Sequence, residues 1–280
     1  MNKTMIDTMF IGNRRFEIGR HTYIMGILNL TPDSFSDGGS YKDTDAALFR
    51  VETMLQEGAD IIDVGGESTR PGHIQISENE EIERTASAIE RICARFDVPI
   101  SIDTYKSKVA EAALNAGADL VNDIWGFKYD SQMAAVVKAY DAACCLMHNK
   151  DNHNYEDLIG DCLRETKECI DIAKHAGIAD EKIMIDPGIG FGLDYTQCLQ
   201  VLKEMDRFNT LGYPVLLGTS RKSVIGLALD LPKDERTEGT VATTVIGAMK
   251  GASIFRVHDV KENYHALKMT VAIQKGYING

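Results

Sequence analysis

The stretch QEGADIIDVGGEST at residues 56–69 is repeated in outline by NAGADLVNDIWG at 115–126. In each, the end of a helix is followed by Gly-Ala-Asp, then by an apolar run with β-branched residues, then by polar residues. Gly58 and Gly117 suit the left-handed residue that closes a helix. The stretch KGASIFRVHDV at 250–260 repeats the same unit. This recurrence predicts a chain built from successive helix–strand units.

Eight apolar runs predict strands, each followed by a helical segment with apolar residues at helical spacing. The runs are almost wholly apolar rather than alternating, which indicates parallel strands covered on both faces. Eight such units in 280 residues predict an α/β fold, a (β/α)8 TIM barrel. A doubly wound open sheet is the alternative, but the glycine-rich phosphate turn that usually follows its first strand is missing. The predicted strands are 23–29, 60–66, 99–104, 119–124, 142–148, 182–188, 214–220 and 253–258.

Two features complete the predicted architecture. Residues 8–22 resemble a β-hairpin that closes the bottom of the barrel, and one domain is expected over 1–280. Ser77, with Glu80 three residues further on, predicts a capping box at the start of a helix.

Composition limits the classes of function. With 44 % hydrophobic and 26 % charged residues, the chain is typical of a soluble globular protein. No run is long enough to span a membrane, and the first residues lack the apolar core of a signal peptide. Six cysteines without a CxxC pair favour reduced thiols in the cytoplasm. The net charge of −12 argues against a nucleic-acid partner, although a local basic cluster can still bind a small anion.

Polar side chains collect at the carboxyl ends of the predicted strands, where TIM barrels place their active sites. A helix cap is the simpler explanation for any one of them. However, Asp103 and Asp186 directly follow β-branched core residues, so the set favours a binding site. Its members are Asn29, Glu67, Ser68, Thr69, Arg70, Asp103, Asn122, Asp123, His148, Asp186, Ser220, Arg221, Lys222, Arg256 and His258.

These residues divide into two chemical groups. Carboxylates, an amide and one cation suit a flat heterocycle with donors along one edge, and the glycines of 186–192 would let such a ring approach the backbone. Arginine forks match phosphate geometry, so a basic group suits an anion with several oxygens. Neither HxxH nor HExxH occurs, so zinc is not expected. The first group is Asp103, Asn122, Asp186 and Lys222; the second is Asn29, Arg70, Arg256 and His258.

Seven motifs, in order and over nearly the whole chain, resemble the dihydropteroate synthase family. The resemblance implies a transferase of folate biosynthesis that is a sulfonamide target and uses Mg²⁺. Its reaction joins 6-hydroxymethyl-7,8-dihydropterin diphosphate to p-aminobenzoate, giving 7,8-dihydropteroate and pyrophosphate. The motifs are MGILNLTPDSFSDGG (25–39), DVGGESTRPG (63–72), SIDT (101–104), VNDIWG (121–126), MIDPGIGFG (184–192), LLGTSRKS (216–223) and RVHDV (256–260).

The same resemblance implies residue roles and two mobile loops at about 30–40 and 67–75. Separately, apolar residues in the predicted helices 240–250 and 260–275 could pair subunits, so a homodimer is expected. The pterin would be bound by Asp103, Asn122, Asp186, Phe191, Lys222 and Met147. The pyrophosphate would be bound by Asn29, Thr69, Arg70, Arg256 and His258, with Asn29 also the metal ligand. The p-aminobenzoate would lie against Phe35, Thr69, Pro71 and Ser220. The catalytic residues would be Asp103, Asp186, Lys222 and Arg256.

The sequence departs from the family pattern at two places, and three alternative functions stay open. MHNKDNHNYEDL at 147–158 replaces a Met-His-Met stretch, which puts the role of Met147 in doubt, and Leu193 stands where many members have lysine. A methyltetrahydrofolate–corrinoid methyltransferase would share the pterin pocket but needs no pyrophosphate site. A Schiff-base aldolase could use Lys222. A scaffold that binds pterin without turnover would be expected to lose the anion cluster.

Overall fold

The computed structural model describes residues 5–30, 41–67 and 75–276, with the backbone alone for 41–44. Eight parallel strands form one sheet in the order β8-β7-β6-β5-β4-β3-β10-β9. A bridge between Ile185 and Val215 joins its two ends, so the sheet closes into the predicted barrel. The strands are β3 (Tyr23–Asn29), β4 (Ile61–Gly65), β5 (Ile100–Asp103), β6 (Leu120–Asp123), β7 (Ala143–Met147), β8 (Ile183–Asp186), β9 (Leu216–Leu217) and β10 (Ile254–Val257).

Helices follow the barrel strands and cover the outside of the sheet. Their apolar sides and the outward-facing strand residues form one large core between the two layers. In the described ranges no helix is long and apolar enough to cross a membrane. The described helices are α1 (Tyr41–Glu57), α2 (Glu78–Arg95), α3 (Ser107–Asn115), α4 (Met133–Ala139), α5 (Leu158–His175), α6 (Tyr195–Lys203), α7 (Ser223–Leu229), α8 (Thr237–Met249) and α9 (Val260–Lys275).

The repeated Gly-Ala-Asp unit has a structural explanation. Gly58 and Gly117 have φ values of +105° and +110°, in the left-handed region that closes a helix. The carboxylates of Asp60 and Asp119 each accept a hydrogen bond, of 2.8 and 3.0 Å, from a backbone N–H near the start of a neighbouring strand. The unit therefore ends one helix and fixes the start of an adjacent strand.

An antiparallel hairpin of β1 (Thr8–Ile11) and β2 (Arg14–Glu17) precedes the barrel, as predicted. Its buried side chains pack against inward-facing residues near the amino ends of the strands, so the bottom of the barrel is apolar and closed by the hairpin. The hairpin side of this cluster is Met9, Ile11, Phe16 and Ile18, and the barrel side is Met25, Ile61, Leu120, Ala143, Cys145, Met184, Leu216 and Ile254.

Two local predictions need correction. The strand expected at 214–220 is shorter in the structure, where β9 contains only Leu216 and Leu217. The chain turns soon after it, and Lys222 donates its backbone N–H to the Thr219 carbonyl at 3.0 Å. At the start of α2, Ser77 Oγ accepts from the Glu80 N–H at 3.2 Å, but the Glu80 carboxylate pairs with Arg84. The predicted capping box is therefore only half formed.

Candidate active site

Four adjacent strands present one row of residues at the mouth of the barrel. The register pairs Asn29 with Gly65, Gly65 with Asp103, and Asp103 with Asn122. Directly paired positions of parallel strands point to the same face, so these side chains project into the mouth. Gly65 leaves a gap between them, because a Cβ built there would lie 3.7 Å from both Asn29 Oδ1 and Asp103 Cβ.

Arg256 joins Asp103 of this row to Asp63, a buried carboxylate two residues before Gly65. Its Nη2 donates to Asp103 Oδ2 at 2.5 Å, and its Nε donates to Asp63 Oδ2 at 2.6 Å. Ser101 Oγ donates to the second oxygen of Asp63 at 2.5 Å. Asp63 is therefore fully paired, whereas Asp103 Oδ1 is buried without a hydrogen-bond partner among the described residues. This oxygen is the acceptor left available at the mouth.

The protonation of Asp103 follows from this arrangement. Burial raises the pKa of Asp103 to about 7, and the attraction of Arg256 only partly offsets that effect. Asp103 shares the Arg256 guanidinium with Asp63 and keeps one oxygen without a described partner, so it takes up a proton more readily than an ordinary carboxyl group. A ligand that donates a hydrogen bond to Asp103 Oδ1 would favour the ionised form.

Asp186 ends β8 with one oxygen bound to the protein and one near the barrel mouth. Its Oδ1 accepts from the Gly188 N–H at 2.7 Å, and its Oδ2 lies 3.5 Å from the position of a Cβ built on Gly218. Burial raises the pKa of Asp186, and the charge of Lys222 acts against that shift. Gly188 is required here, since its φ is +76° and a Cβ would lie 2.0 Å from the His148 carbonyl oxygen.

Lys222 reaches back over the loop that follows Asp186. Its Nζ donates to the Ile189 carbonyl at 2.5 Å and lies 4.5 Å from the centroid of the Phe191 ring. Burial lowers the pKa of Lys222 to about 8, with the charge of Asp186 opposing the shift. The amine is therefore still mainly protonated at neutral pH, and acts as a cation beside two carboxylates.

Ser220 and His258 connect the chain beyond β9 with the chain beyond β10. Ser220 Oγ lies 2.9 Å from His258 Nδ1 and accepts from the His258 backbone N–H at 3.0 Å. Burial, with the charges of Arg256 and Arg221, lowers the pKa of His258 to about 3. The imidazole is therefore neutral in the physiological range. Arg221, between Ser220 and Lys222, has a left-handed backbone (φ +56°) and forms a two-point ion pair with Asp259.

Apolar side chains form the wall between β5 and β8. Met147 is paired in register with Asp186 and is buried. It packs with Tyr105 and Ile124, and Phe191 lies at the edge of the same cluster. Met147, whose role the altered stretch at 147–158 left open, is therefore placed next to a proposed pterin ligand.

A cavity of about 720 Å³ opens beside this wall. It is bordered by Phe191 on one side, by Tyr105 and Trp125 on another, and by Ser223 and Leu227 of α7 on a third. The expected p-aminobenzoate contact Ser220 instead has its hydroxyl engaged by His258. Ser223, which the sequence analysis did not select, borders the cavity.

Of two other strand-end residues, Asp123 has structural surroundings, whereas His148 has a buried ring nitrogen, Nδ1, without a hydrogen-bond partner among the described residues. The Asp123 carboxylate accepts from the backbone N–H groups of Trp125 and Phe127, at 2.8 and 2.9 Å, and so holds the loop after β6. The His148 ring is buried, with Nε2 2.8 Å from Glu165 Oε2. The simpler explanation, a satisfied polar group in a loop, therefore holds for Asp123.

A second buried ionic cluster lies beside the mouth and was not predicted. Lys106 Nζ donates to Glu67 Oε2 at 2.6 Å, to Glu81 Oε2 at 2.7 Å and to the Ile76 carbonyl at 2.8 Å. Tyr105 donates to the other Glu67 oxygen at 2.5 Å. One lysine thus binds residues on both sides of the segment 68–74, which carries part of the predicted anion site.

The structure brings most of the predicted residues together around one opening. Around the mouth or on its walls lie Asn29, Asp103, Asn122, Met147, Asp186, Phe191, Ser220, Lys222, Arg256 and His258. Five predicted site residues, Phe35, Ser68, Thr69, Arg70 and Pro71, lie outside the described residues, as does most of the two predicted mobile loops.

Comparisons with known proteins identify the family of this chain. The model of the pterin binding enzyme family matches residues 25–258. A dihydropteroate synthase of Clostridium beijerinckii is 62 % identical over 263 residues, which cover 94 % of this chain and 98 % of that protein. The likeness therefore extends over nearly the whole length of both proteins.

Solved structures give the same result. Dihydropteroate synthase from Clostridium difficile, crystallised in the presence of pteroic acid, has a TM-score of 0.90 at 51 % identity, covering 92 % of this chain and 98 % of that one. The Xanthomonas albilineans enzyme with 4-aminobenzoic acid has a TM-score of 0.90 at 37 % identity, covering 96 % and 98 %. The chain belongs to the pterin-binding enzyme family and, within it, to the dihydropteroate synthases, which are transferases that make 7,8-dihydropteroate.

Proposed function

We propose that the polar row at the barrel mouth binds the pterin and stabilises the positive charge that develops when pyrophosphate leaves. The observation that supports this most strongly is the buried, unpaired oxygen of Asp103. Leaving a buried acceptor without a partner costs about 1–3 kcal/mol. A heterocycle with N–H groups along one edge would supply the missing donor.

The proposed orientation of the pterin follows from the available donors and acceptors. Asp186 accepts from the edge that carries a ring N–H and an exocyclic amine, while Asp103 and Asn122 bind the remaining polar atoms. Lys222 donates to the pterin carbonyl, in exchange for its bond to the Ile189 carbonyl. Phe191 and Met147 would lie near the ring. In this arrangement each polar edge of the pterin meets a group of the opposite hydrogen-bonding type.

The proposed reaction begins when the bond between the exocyclic methylene and the diphosphate oxygen breaks. The positive charge left on the methylene spreads into the dihydropterin, where the carboxylates of Asp103 and Asp186 stabilise it. The arylamine nitrogen of p-aminobenzoate then forms the new C–N bond and afterwards loses a proton. An arylamine needs no prior deprotonation, so the reaction does not require the Ser220–His258 pair at the mouth to act as nucleophile and base.

The leaving pyrophosphate is assigned to the basic group. Arg256 uses Nε and Nη2 to bind Asp63 and Asp103. Its remaining donor nitrogen, Nη1, makes no hydrogen bond to a described residue. His258 supplies a neutral donor, and Thr69 and Arg70 are proposed to complete the site from the segment outside the described residues. Arg256 would thus link the carboxylates of the pterin site to the anion.

The proposed Mg²⁺ ligand is Asn29. No cluster of three or more His, Cys, Asp or Glu side chains in the described ranges is arranged to hold a metal ion. A single amide oxygen still fits Mg²⁺, because this ion commonly takes one or two protein ligands and completes its shell with waters and substrate phosphates. Once bound there, Mg²⁺ would neutralise diphosphate oxygens and assist their departure.

The p-aminobenzoate is assigned to the side of the mouth between the Ser220–Lys222 turn and the cavity beside Phe191. Its other proposed contacts, Phe35, Thr69 and Pro71, belong to the segments outside the described residues. This placement puts the arylamine next to the pterin ring and leaves its carboxyl group toward the cavity.

We also propose a cytoplasmic homodimer. Apolar side chains on α8 and α9 are strongly exposed, and a second copy of this surface would cover them. They are Ile246, Met249, Met269 and Ile273, at 46, 67, 60 and 69 % exposure. All six cysteines are free thiols, five of them buried, which supports a reducing compartment.

The experiment that tests this assignment compares Asp103→Asn with Asp97→Asn, a control whose carboxylate is 94 % exposed. The amide can still accept from Arg256, but it then points a donor at the pterin N–H. We expect dihydropterin binding, measured by calorimetry, to weaken at least about tenfold in Asp103→Asn and to be unchanged in Asp97→Asn. Equal binding by the two variants would contradict the assignment.

A further inference from the structure

We infer that Ser220 is a positioning residue: its hydroxyl fixes His258 as the tautomer protonated at Nε2, so that the ring presents an N–H to the pyrophosphate. This inference rests on the proposed function, in which His258 binds the anion. It gives Ser220 a role that its expected contact with p-aminobenzoate does not include.

The protons available to Ser220 and His258 determine the tautomer. Ser220 Oγ accepts a hydrogen bond from the His258 backbone N–H at 3.0 Å, and it lies 2.9 Å from Nδ1 of the same residue. A hydroxyl has one proton to donate. Ser220 is only 7 % exposed, and Nδ1 is the only acceptor found for its proton among the described residues. The hydroxyl therefore donates to Nδ1, and the single proton of the neutral ring is left on Nε2.

The other protonation states of His258 do not fit these hydrogen bonds. A proton on Nδ1 would direct two N–H groups of His258 at the Ser220 oxygen, and the Ser220 proton would then lack a described acceptor. A doubly protonated ring has the same defect and also faces the positive charges of Arg256 and Arg221. Burial together with these charges lowers the pKa of His258 to about 3, which agrees with a neutral ring.

The tautomer decides whether His258 attracts or repels the anion. With the proton on Nε2, the ring donates to a pyrophosphate oxygen. With the proton on Nδ1, the Nε2 lone pair would face that oxygen instead. Because Ser220 makes two bonds to His258, one to the ring and one to the backbone, it also restricts rotation of the imidazole. Removal of the Ser220 hydroxyl should therefore weaken anion binding through its effect on the His258 ring, and not through the loss of a direct contact with the anion.

Steady-state kinetics separate this role from a direct contact with p-aminobenzoate. For Ser220→Ala we expect KM for the pterin diphosphate to rise about 5- to 20-fold, with KM for p-aminobenzoate changed less than twofold. Ser220→Thr keeps a hydroxyl and should restore the wild-type values. A rise confined to KM for p-aminobenzoate would overturn the inference.

Two histidine variants test the position of the N–H itself. His258→Gln places an amide N–H near the position of Nε2, whereas His258→Asn places it near Nδ1. We expect His258→Gln to bind pyrophosphate several-fold more tightly than His258→Asn. Adding Ser220→Ala to the His258→Gln variant should have no further effect on pyrophosphate binding. Tighter binding by the asparagine variant would contradict the inference.

Nitrogen NMR on protein labelled with ¹⁵N-histidine reads the tautomer directly in the wild-type enzyme. The His258 signal, assigned by its loss in His258→Gln, should show the Nε2–H pattern; in Ser220→Ala both tautomers should appear. An Nδ1–H pattern in the wild type would overturn the inference even if the protein makes dihydropteroate. Failure to make dihydropteroate would instead refute the proposed function.

Discussion

The substitution Asp186→Asn should weaken pterin binding by about 10- to 100-fold and leave the fold intact. Asp186 Oδ1 accepts from the Gly188 N–H at 2.7 Å, and an asparagine oxygen can keep that bond. The second oxygen becomes an NH₂ group, which points a donor at the donor edge of the pterin. A charge-assisted hydrogen bond contributes about 1.5–3 kcal/mol, and each 1.4 kcal/mol is a factor of ten in affinity.

The same substitution should not lower the stability of the free enzyme. Burial raises the pKa of Asp186 above its value in the unfolded chain. A carboxyl group whose pKa is raised by folding lowers the free energy of unfolding at high pH. This loss of stability is absent below the unfolded-state pKa and complete above the folded-state pKa. The amide avoids this loss, although it also removes the attraction to Lys222. We therefore expect the thermal midpoint at pH 8 to be no lower than that of the wild type.

The assay combines calorimetric titration with a dihydropterin and thermal unfolding of the free enzyme, with Asp97→Asn as the exposed control. If Asp186→Asn binds the pterin normally but unfolds at a much lower temperature, the reasoning is refuted. Asp186 would then be a structural residue whose main partner lies within the protein.

Three further predictions concern the same site. Borohydride treatment with substrates present should leave no covalent adduct on Lys222, because the amine acts as a hydrogen-bonding cation; an adduct would favour the Schiff-base alternative. Free enzyme should bind p-aminobenzoate and sulfonamides weakly, and pyrophosphate with Mg²⁺ should strengthen both, as titrations in the two conditions would reveal; equal affinities would exclude an ordered site. Pterin affinity should decrease below about pH 7, where Asp103 takes up a proton, and above about pH 8, where Lys222 loses one. Lys222→Arg should abolish only the alkaline decrease, and a flat profile from pH 6 to 9 would contradict both assignments.

The barrel could be predicted from sequence because its signals are local. The left-handed glycines at 58 and 117, the aspartates after them and the nearly continuous apolar runs all occur within single helix–strand units. The short β9 was not predictable in the same way. Its length depends on where the chain turns beyond Gly218, and the apolar run gives no signal for that turn.

The site was predicted at the strand ends but not beneath them. Asp63 lies inside an apolar run, and the partner that explains its buried charge, Arg256, is 193 residues away. The alternation of strand side chains was the available signal, since Asp63 lies two residues before Gly65 and so shares its inward face. Lys106 was missed for a similar reason, because its acceptors come from α2 and from the segment between β4 and α2.

The most direct test of the account is incubation of the purified protein with 6-hydroxymethyl-7,8-dihydropterin diphosphate, Mg²⁺ and labelled p-aminobenzoate. The account predicts labelled 7,8-dihydropteroate and an equal amount of pyrophosphate, with product formation strongly reduced in Asp103→Asn and retained in Asp97→Asn. Absence of labelled product from the wild-type protein, or undiminished product from Asp103→Asn, would contradict it.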